Sequence, residues 1–240
     1  MKYMGSKSRI AKELAPIIQS YIDNNDIKHY IEPFVGGGNM IDKIKCDHKI
    51  GCDIHQHLIA FLNALSMGYQ PPYDISEEEY KHIQKNQSLY PDELVGYVGF
   101  QLSYGAKWFG GYRRDSVGKR NYSHEAYNNV IKQAKNLKDT KFINCDFRDI
   151  KDIEKHVIYC DPPYKDTTKY STNKFPYEDF YNWCAEMGKN NIVLVSEYVM
   201  PEDKFVCIWQ KQIKVLIDKN KNVDDIANNR IEKLFIYNAK

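Results

Sequence analysis

Short apolar runs that stop abruptly at glycine or at an acid alternate with amphipathic stretches through the first third of the chain. This restricts the fold more than any other feature. Tyr30 to Val35 reads as a strand running into Gly36, Gly37 and Gly38, and Lys49 to Cys52 as a second strand ending at Asp53. Around them, Ile10, Leu14, Ile17, Ile18 and Tyr21 fall at helical spacing over residues 7–22, with a kink expected at Pro16. Met40 to Lys45 looks helical, and Leu58, Ile59, Leu62 and Leu65 form the apolar face of a further helix. Strands alternating with helices predict a parallel sheet with crossover helices, hence an α/β fold.

The alternation stops near Gly68, Pro71 and Pro72 and resumes at Lys141 to Cys145. The segment 68–138 is therefore read as an inserted, mainly helical subdomain, with 1–67 and 139–240 forming the principal domain. Within the insertion Ser76 to Glu79 opens one helix as a capping box, Pro91-Asp92-Glu93 a second, and Ser123 to Ala126 a third. Beyond it come a strand at His156 to Cys160, a helix over 177–188, and strands at 192–197, 204–209, 213–217 and 232–237. The late strands have no helices between them, which predicts an antiparallel hairpin at the sheet's end, with a polar, mobile loop from Asp218 to Arg230.

With 240 residues the chain has room for one domain plus a modest insertion. Its 34 Lys and Arg against 32 Asp and Glu leave +2, so a polyanion would be met by a local patch and not by the whole surface. No apolar run is long enough to span a bilayer, and a cytoplasmic protein is expected. The six cysteines, at 46, 52, 145, 160, 184 and 207, are too scattered for a disulfide scaffold or a zinc knuckle and are read as free, buried thiols. The seven histidines lack metal spacing, and His55 and His57 read as partly exposed residues at a helix start. No metal is expected.

Glycines after a strand allow backbone to approach a ligand closely. The dinucleotide fingerprint nevertheless fails, because Ile41 stands where its third glycine belongs. Asp53, at a strand end, is placed to accept from ribose hydroxyls, which favours an adenosine over a dinucleotide; a plain tight turn and a helix cap are the alternatives. Asp161-Pro162-Pro163-Tyr164 follows an apolar strand directly, at the sheet edge where open α/β folds bind ligands. Proline lacks an N–H, so this turn presents acceptors. Asp161 and the Pro162 carbonyl suit the two hydrogens of an exocyclic amine, and Tyr164 suits stacking on a base.

These motifs resemble those of the Dam-type DNA adenine N6-methyltransferases, the D12 class in its alpha arrangement. Lys2 to Lys7 is similar to that family's opening motif, Glu32 to Gly38 to its glycine motif, Gly51 to Ile54 to its acidic turn, Asn144 to Phe147 to its adenine-side motif, and Asp161 to Tyr164 to its catalytic tetrapeptide. The resemblance implies a Rossmann-like methyltransferase fold and S-adenosyl-L-methionine as cofactor. It places Tyr3, Lys7, Phe34, Gly36, Gly38, Asp53, Asp146, Phe147 and Asp161 against that cofactor, and Asp161, Pro162 and Tyr164 at the reaction. The segment 68–138 becomes the target-recognition subdomain. The expected activity is site-specific methylation of a flipped adenine in double-stranded DNA, of the kind found in restriction-modification, by a monomer or weak dimer in a bacterial or phage-infected cell.

Loop 103–123 agrees independently. Lys107, Arg113, Arg114, Lys119 and Arg120 are interleaved with Tyr104, Trp108, Phe109, Tyr112 and Tyr122 against the single acid Asp115. Bases mixed with aromatics suit phosphate contacts, groove contacts and filling the gap left by an extruded base; a solvated basic loop is the alternative. Lys107, Trp108, Tyr112, Arg113, Arg114, Lys119 and Arg120 are the expected DNA contacts. Lys165, Lys169 and Lys174 lie either on a substrate-side loop or on plain surface. Rival functions are methylation of cytosine N4 or of an RNA amine, and a non-catalytic DNA-binding homologue.

Overall fold

The computed structural model describes residues 1–115, 117–164, 175–214 and 229–238. The stretch holding Lys165, Lys169 and Lys174, and the loop expected to be mobile up to its last two residues, lie outside the described residues. Among the described residues, seven strands form one sheet: β1 (His29–Glu32), β2 (His48–Asp53), β3 (Thr140–Asn144), β4 (His156–Cys160), β5 (Ile192–Glu197), β6 (Phe205–Lys214) and β7 (Asn229–Tyr237). Their order is β3-β2-β1-β4-β5-β7-β6. The pairs among β1 to β5 are parallel, whereas β7 runs antiparallel to both β5 and β6.

Alternation along the strands assigns their faces. Tyr30, Val157, Tyr159 and Leu194 join Leu14 and Ile18 of α1 (Ala11–Asn24) and Leu58 and Leu62 of α2 (Gln56–Ser66) in one core. Ile31, Ile158, Val193 and Val195 face the other way, onto Phe180, Trp183 and Met187 of α6 (Tyr177–Met187). Burial on both faces explains why these strands read as continuous apolar runs.

The segment 68–138 holds α3 (Glu77–Lys85), α4 (Asp92–Gln101) and α5 (Tyr122–Leu137). Tyr80, Ile83, Val95, Tyr97, Val98, Ala126 and Val130 share a third core with Phe61 and Leu65 of α2. These three helices thus close against α2. Among the described residues, no helix is long and apolar enough to cross a membrane.

Several local expectations are corrected. The first helix starts at Ala11, because Lys7–Arg9 is a 3-10 turn capped by the Ser6 hydroxyl, and α1 continues through the exposed Pro16. The helix expected after the glycines is a single 3-10 turn, Ile41–Lys43. Met40, Ile41 and Ile44 are all buried there, and so short a stretch gains more from that burial than from nucleating an α-helix. Asn121, not Ser123, caps α5: its side chain accepts from the Ser123 and His124 N–H groups, while the Ser123 hydroxyl accepts from Ile75 N at 3.0 Å. The strand expected at 204–209 and the start of the one expected at 213–217 are a single strand, β6, because Gln210, Lys211 and Gln212 pair in register with β7, while residues 215–217 lie outside the described residues. The cysteines are free, but Cys207 is exposed and Cys46 and Cys145 are half-buried.

Candidate active site

β1, β2, β4 and β5 end at the same edge of the sheet, and each brings a carboxylate there: Glu32, Asp53, Asp161 just past β4, and Glu197. β7 enters from the opposite direction, and because Lys233 pairs with Glu197, Glu232 reaches that same edge.

Asp161 sits at the centre. Its Oδ1 is 2.7 Å from the Nζ of Lys7, whose side chain is almost fully buried. That ammonium also lies 4.3 Å from the centroid of the Tyr164 ring and 3.9 Å from Glu232 Oε2. The Tyr164 hydroxyl donates to Glu232 Oε2 at 2.8 Å, and Tyr198, which packs edge-on against Tyr164, donates to Oε1 at 3.5 Å. Burial pushes the Asp161 carboxyl upward, and the Lys7 ammonium opposes that shift without cancelling it. Pro162 is buried, and the Pro163 carbonyl accepts from the Tyr177 hydroxyl at 2.6 Å, so the tetrapeptide is held from both sides.

The glycine turn lies beside it. Gly36 and Gly38 have φ of +47° and +64°, conformations that L side chains rarely adopt. A Cβ on Gly36 would stand 2.7 Å from Tyr3 Cε1, and one on Gly37 would stand 2.7 Å from Tyr3 Cβ. The glycines therefore make room for Tyr3, which packs on Phe100 of α4 with ring centroids 5.5 Å apart. Asp53 fixes the turn through Oδ2, which accepts from Gly36 N at 3.2 Å, while Oδ1 accepts from His55 N at 3.0 Å. Burial raises its carboxyl too.

Asp146 accepts from the N–H and the guanidinium of Arg148, capping the turn Phe147–Asp149. Phe147 is buried and packs on Phe34 with centroids 5.5 Å apart, so these two rings form one wall beside the glycine turn.

The expected DNA contacts divide into two groups. Trp108 stacks on His57 with centroids 5.4 Å apart and packs against His55, Phe100 and Gly99. Tyr112 donates to the Ile75 carbonyl at 2.7 Å, Arg113 lies 3.9 Å over the Tyr122 ring, and Arg114 pairs with Glu77. These four brace the loop. Lys107, Lys119 and Arg120 are exposed, as is Tyr104, and Asp115 shapes their turn by accepting from the Lys119 and Arg120 N–H groups at 2.7 and 2.8 Å.

Sequence reasoning missed Glu232 and Tyr198 as members of the site. An acid in the run Ile231 to Phe235 was the available signal, but only the pairing of β7 with β5 brings it to Asp161. Glu32 stood inside a motif already singled out, and the structure buries it with the Tyr30 hydroxyl as donor at 2.8 Å. Among the described residues, no group of three or more His, Cys, Asp or Glu is arranged to hold a metal.

A mostly parallel sheet with β7 turned back beside β5, a glycine turn after β1 and an Asp-Pro-Pro-Tyr turn after β4 together define the methyltransferase class of α/β domain. The family model for D12 class N6 adenine-specific DNA methyltransferases matches residues 3–98 and 96–222, and the chain belongs to that family. It is an adenine-specific DNA methyltransferase, with DNA as its substrate. Among curated proteins it is similar to the type II methyltransferase M.MjaIII of Methanocaldococcus jannaschii, at 24% identity over 216 residues, covering 75% of this chain and 74% of the relative. Among solved structures a methyltransferase of Thermoplasma acidophilum aligns over 89% of this chain and 68% of its own, with a TM-score of 0.34 and 9% identity, too loose a match to bear on the fold.

Proposed function

We propose that the methyl donor is S-adenosylmethionine and that the acceptor is the N6 amine of an adenine flipped out of duplex DNA. The carrying observation is the edge itself, where Asp161 and Glu232 face Lys7 while Glu32 and Asp53 end the neighbouring strands β1 and β2. Carboxyl oxygens at such an edge, beside a glycine turn and the Phe34–Phe147 wall, suit the N–H and O–H donors of a nucleoside, which fits the nucleoside part of the donor. Tyr3, Lys7, Phe34, Gly36, Gly38, Asp53, Asp146, Phe147 and Asp161 would hold it. When bound, the cofactor supplies an electrophilic methyl group.

Asp161 and the Pro162 carbonyl accept the two hydrogens of the target amine and leave its lone pair available, while Tyr164 stacks on the base. The residues orient the amine and do not need to ionise it, since the nitrogen becomes acidic only after methylation. The segment 68–138 binds the duplex. The exposed Lys107, Lys119 and Arg120 support phosphate contacts, and Trp108, Tyr112, Arg113 and Arg114 support the shape of the loop that presents them. Likeness to a type II methyltransferase supports a role in restriction-modification, carried out by a monomer or weak dimer in the cytoplasm of a bacterial or phage-infected cell.

The test is transfer of labelled methyl from S-adenosylmethionine to unmodified duplex DNA, followed by nucleoside analysis. N6-methyladenine is expected with the native protein and none with Asp161→Ala. N4-methylcytosine as product, or full activity of Asp161→Ala, would overturn this reading.

A further inference from the structure

Two buried glutamines of the insertion reach out of it and hold the segments that form the cofactor side of the site. Gln101 ends α4, and its amide closes a two-way bond with the peptide of Lys2: Oε1 accepts from Lys2 N at 3.1 Å, and Nε2 donates to Lys2 O at 3.0 Å. Gln133 lies on α5, and its Nε2 donates to the carbonyls of both Gly37, at 3.0 Å, and Gly38, at 2.9 Å. Its Oε1 accepts from the Met1 amine. Gln101 and Gln133 are 2% and 5% exposed, and the bonds from Gln133 to the glycine carbonyls are buried, so water does not offer those two carbonyls an alternative donor. Only an N–H can face a carbonyl oxygen, so the amide orientations are fixed by their partners.

The two segments depend on each other. Gln101 fixes the peptide just before Tyr3, Gln133 fixes the carbonyls of the glycine turn, and the Tyr3 ring lies in the space those glycines leave. A glycine turn with positive φ has other conformations open to it, and two donors on successive carbonyls select one.

We propose that Gln101 and Gln133 are positioning residues for the methyl-donor site, supplied by the insertion whose remaining role is DNA recognition. The proposal rests on the reading that S-adenosylmethionine binds beside Tyr3 and the glycine turn. Gln133 holds the turn in its ligand-accepting form, and Gln101 holds Tyr3 against it.

The test titrates S-adenosylmethionine calorimetrically into the DNA-free full chain, comparing the native protein with Gln133→Met, Gln101→Met and a packing control, Val130→Ala, in the same insertion core. Each glutamine variant is expected to weaken donor binding about tenfold, to raise the donor KM to match, and to leave kcat at saturating donor and the Kd for DNA within about twofold. Val130→Ala is expected to lower the melting temperature without weakening donor binding. Donor affinity within about twofold of native in the folded glutamine variants, or an equal loss in Val130→Ala, would overturn the proposal. Should Gln133→Met fail to fold, Gln101→Met decides by itself, since its bonds are made to Lys2 alone. Failure of the native protein to bind S-adenosylmethionine would overturn the proposed cofactor together with this role, a result distinct from native binding that the variants leave unchanged.

Discussion

Burial of Glu32 at the end of β1 pushes its carboxyl well above the ordinary value of 4.5, with Asp161 and Asp42 adding to the rise and the Tyr30 hydroxyl opposing it. A carboxyl raised in the folded state binds its proton more tightly there than in the unfolded chain. Its contribution to stability is therefore complete below the ordinary value and is lost as pH rises through the folded one. Glu32→Gln keeps an acceptor for Tyr30 and removes the titration. The variant is expected to gain melting temperature over the native protein at about pH 8 and to lose that gain toward about pH 4. Thermal unfolding at the two pH values checks this, and an offset independent of pH would show that Glu32 does not titrate in that range. Asp161 lies in the same field, but its Lys7 partner stands 2.7 Å away, so it can remain an acceptor where Glu32 has no cation so close. The tetrapeptide motif pointed to Asp161; nothing in the sequence near Glu32 said that it would be buried.

Between elements, α4 approaches α2 closely at Gly96. A Cβ on Gly96 would stand 2.0 Å from the His57 carbonyl oxygen, a backbone atom that cannot swing aside. Gly96→Ala is expected to cost about 1 to 3 kcal/mol as the helices are forced apart. Because Gln101 ends the same helix, the variant should also weaken donor binding. Urea denaturation measures the first effect and calorimetry the second; unchanged stability would mean that the helices can separate freely. At this scale the sequence was most legible where the signal is local. The Ser76 capping box and the Asp92 helix start appear as expected, since a cap is decided within four residues. It was least legible after the glycines, where burial of Met40, Ile41 and Ile44 outweighed a weak helical pattern, and in β6, where the polar Gln210, Lys211 and Gln212 pair with β7 and join two apparent strands.

For the molecule as a whole, near-zero net charge leaves DNA binding to local patches. Replacing Lys107, Lys119 and Arg120 together with Gln is expected to weaken duplex binding and to lower the slope of log affinity against log salt by up to about 3, with S-adenosylmethionine affinity unchanged. Filter binding at several salt concentrations checks it, and an unchanged slope would place the phosphate contacts elsewhere. Arg114→Gln should matter less, because its guanidinium is already paired with Glu77. The sequence by itself determined the parallel sheet, the glycine turn and the Asp161 turn, because strand alternation, φ freedom and proline chemistry act over a few neighbouring residues. Only the tertiary structure decided that β7 would insert beside β5 and carry Glu232 to Tyr164, that Lys7 would be buried on Asp161, that Trp108 and Tyr112 would turn inward, and that Gln101 and Gln133 would bond Lys2 and the glycine turn. Each of these is a choice of partner between elements distant in the chain, and it is set by strand register and helix packing rather than by any local preference.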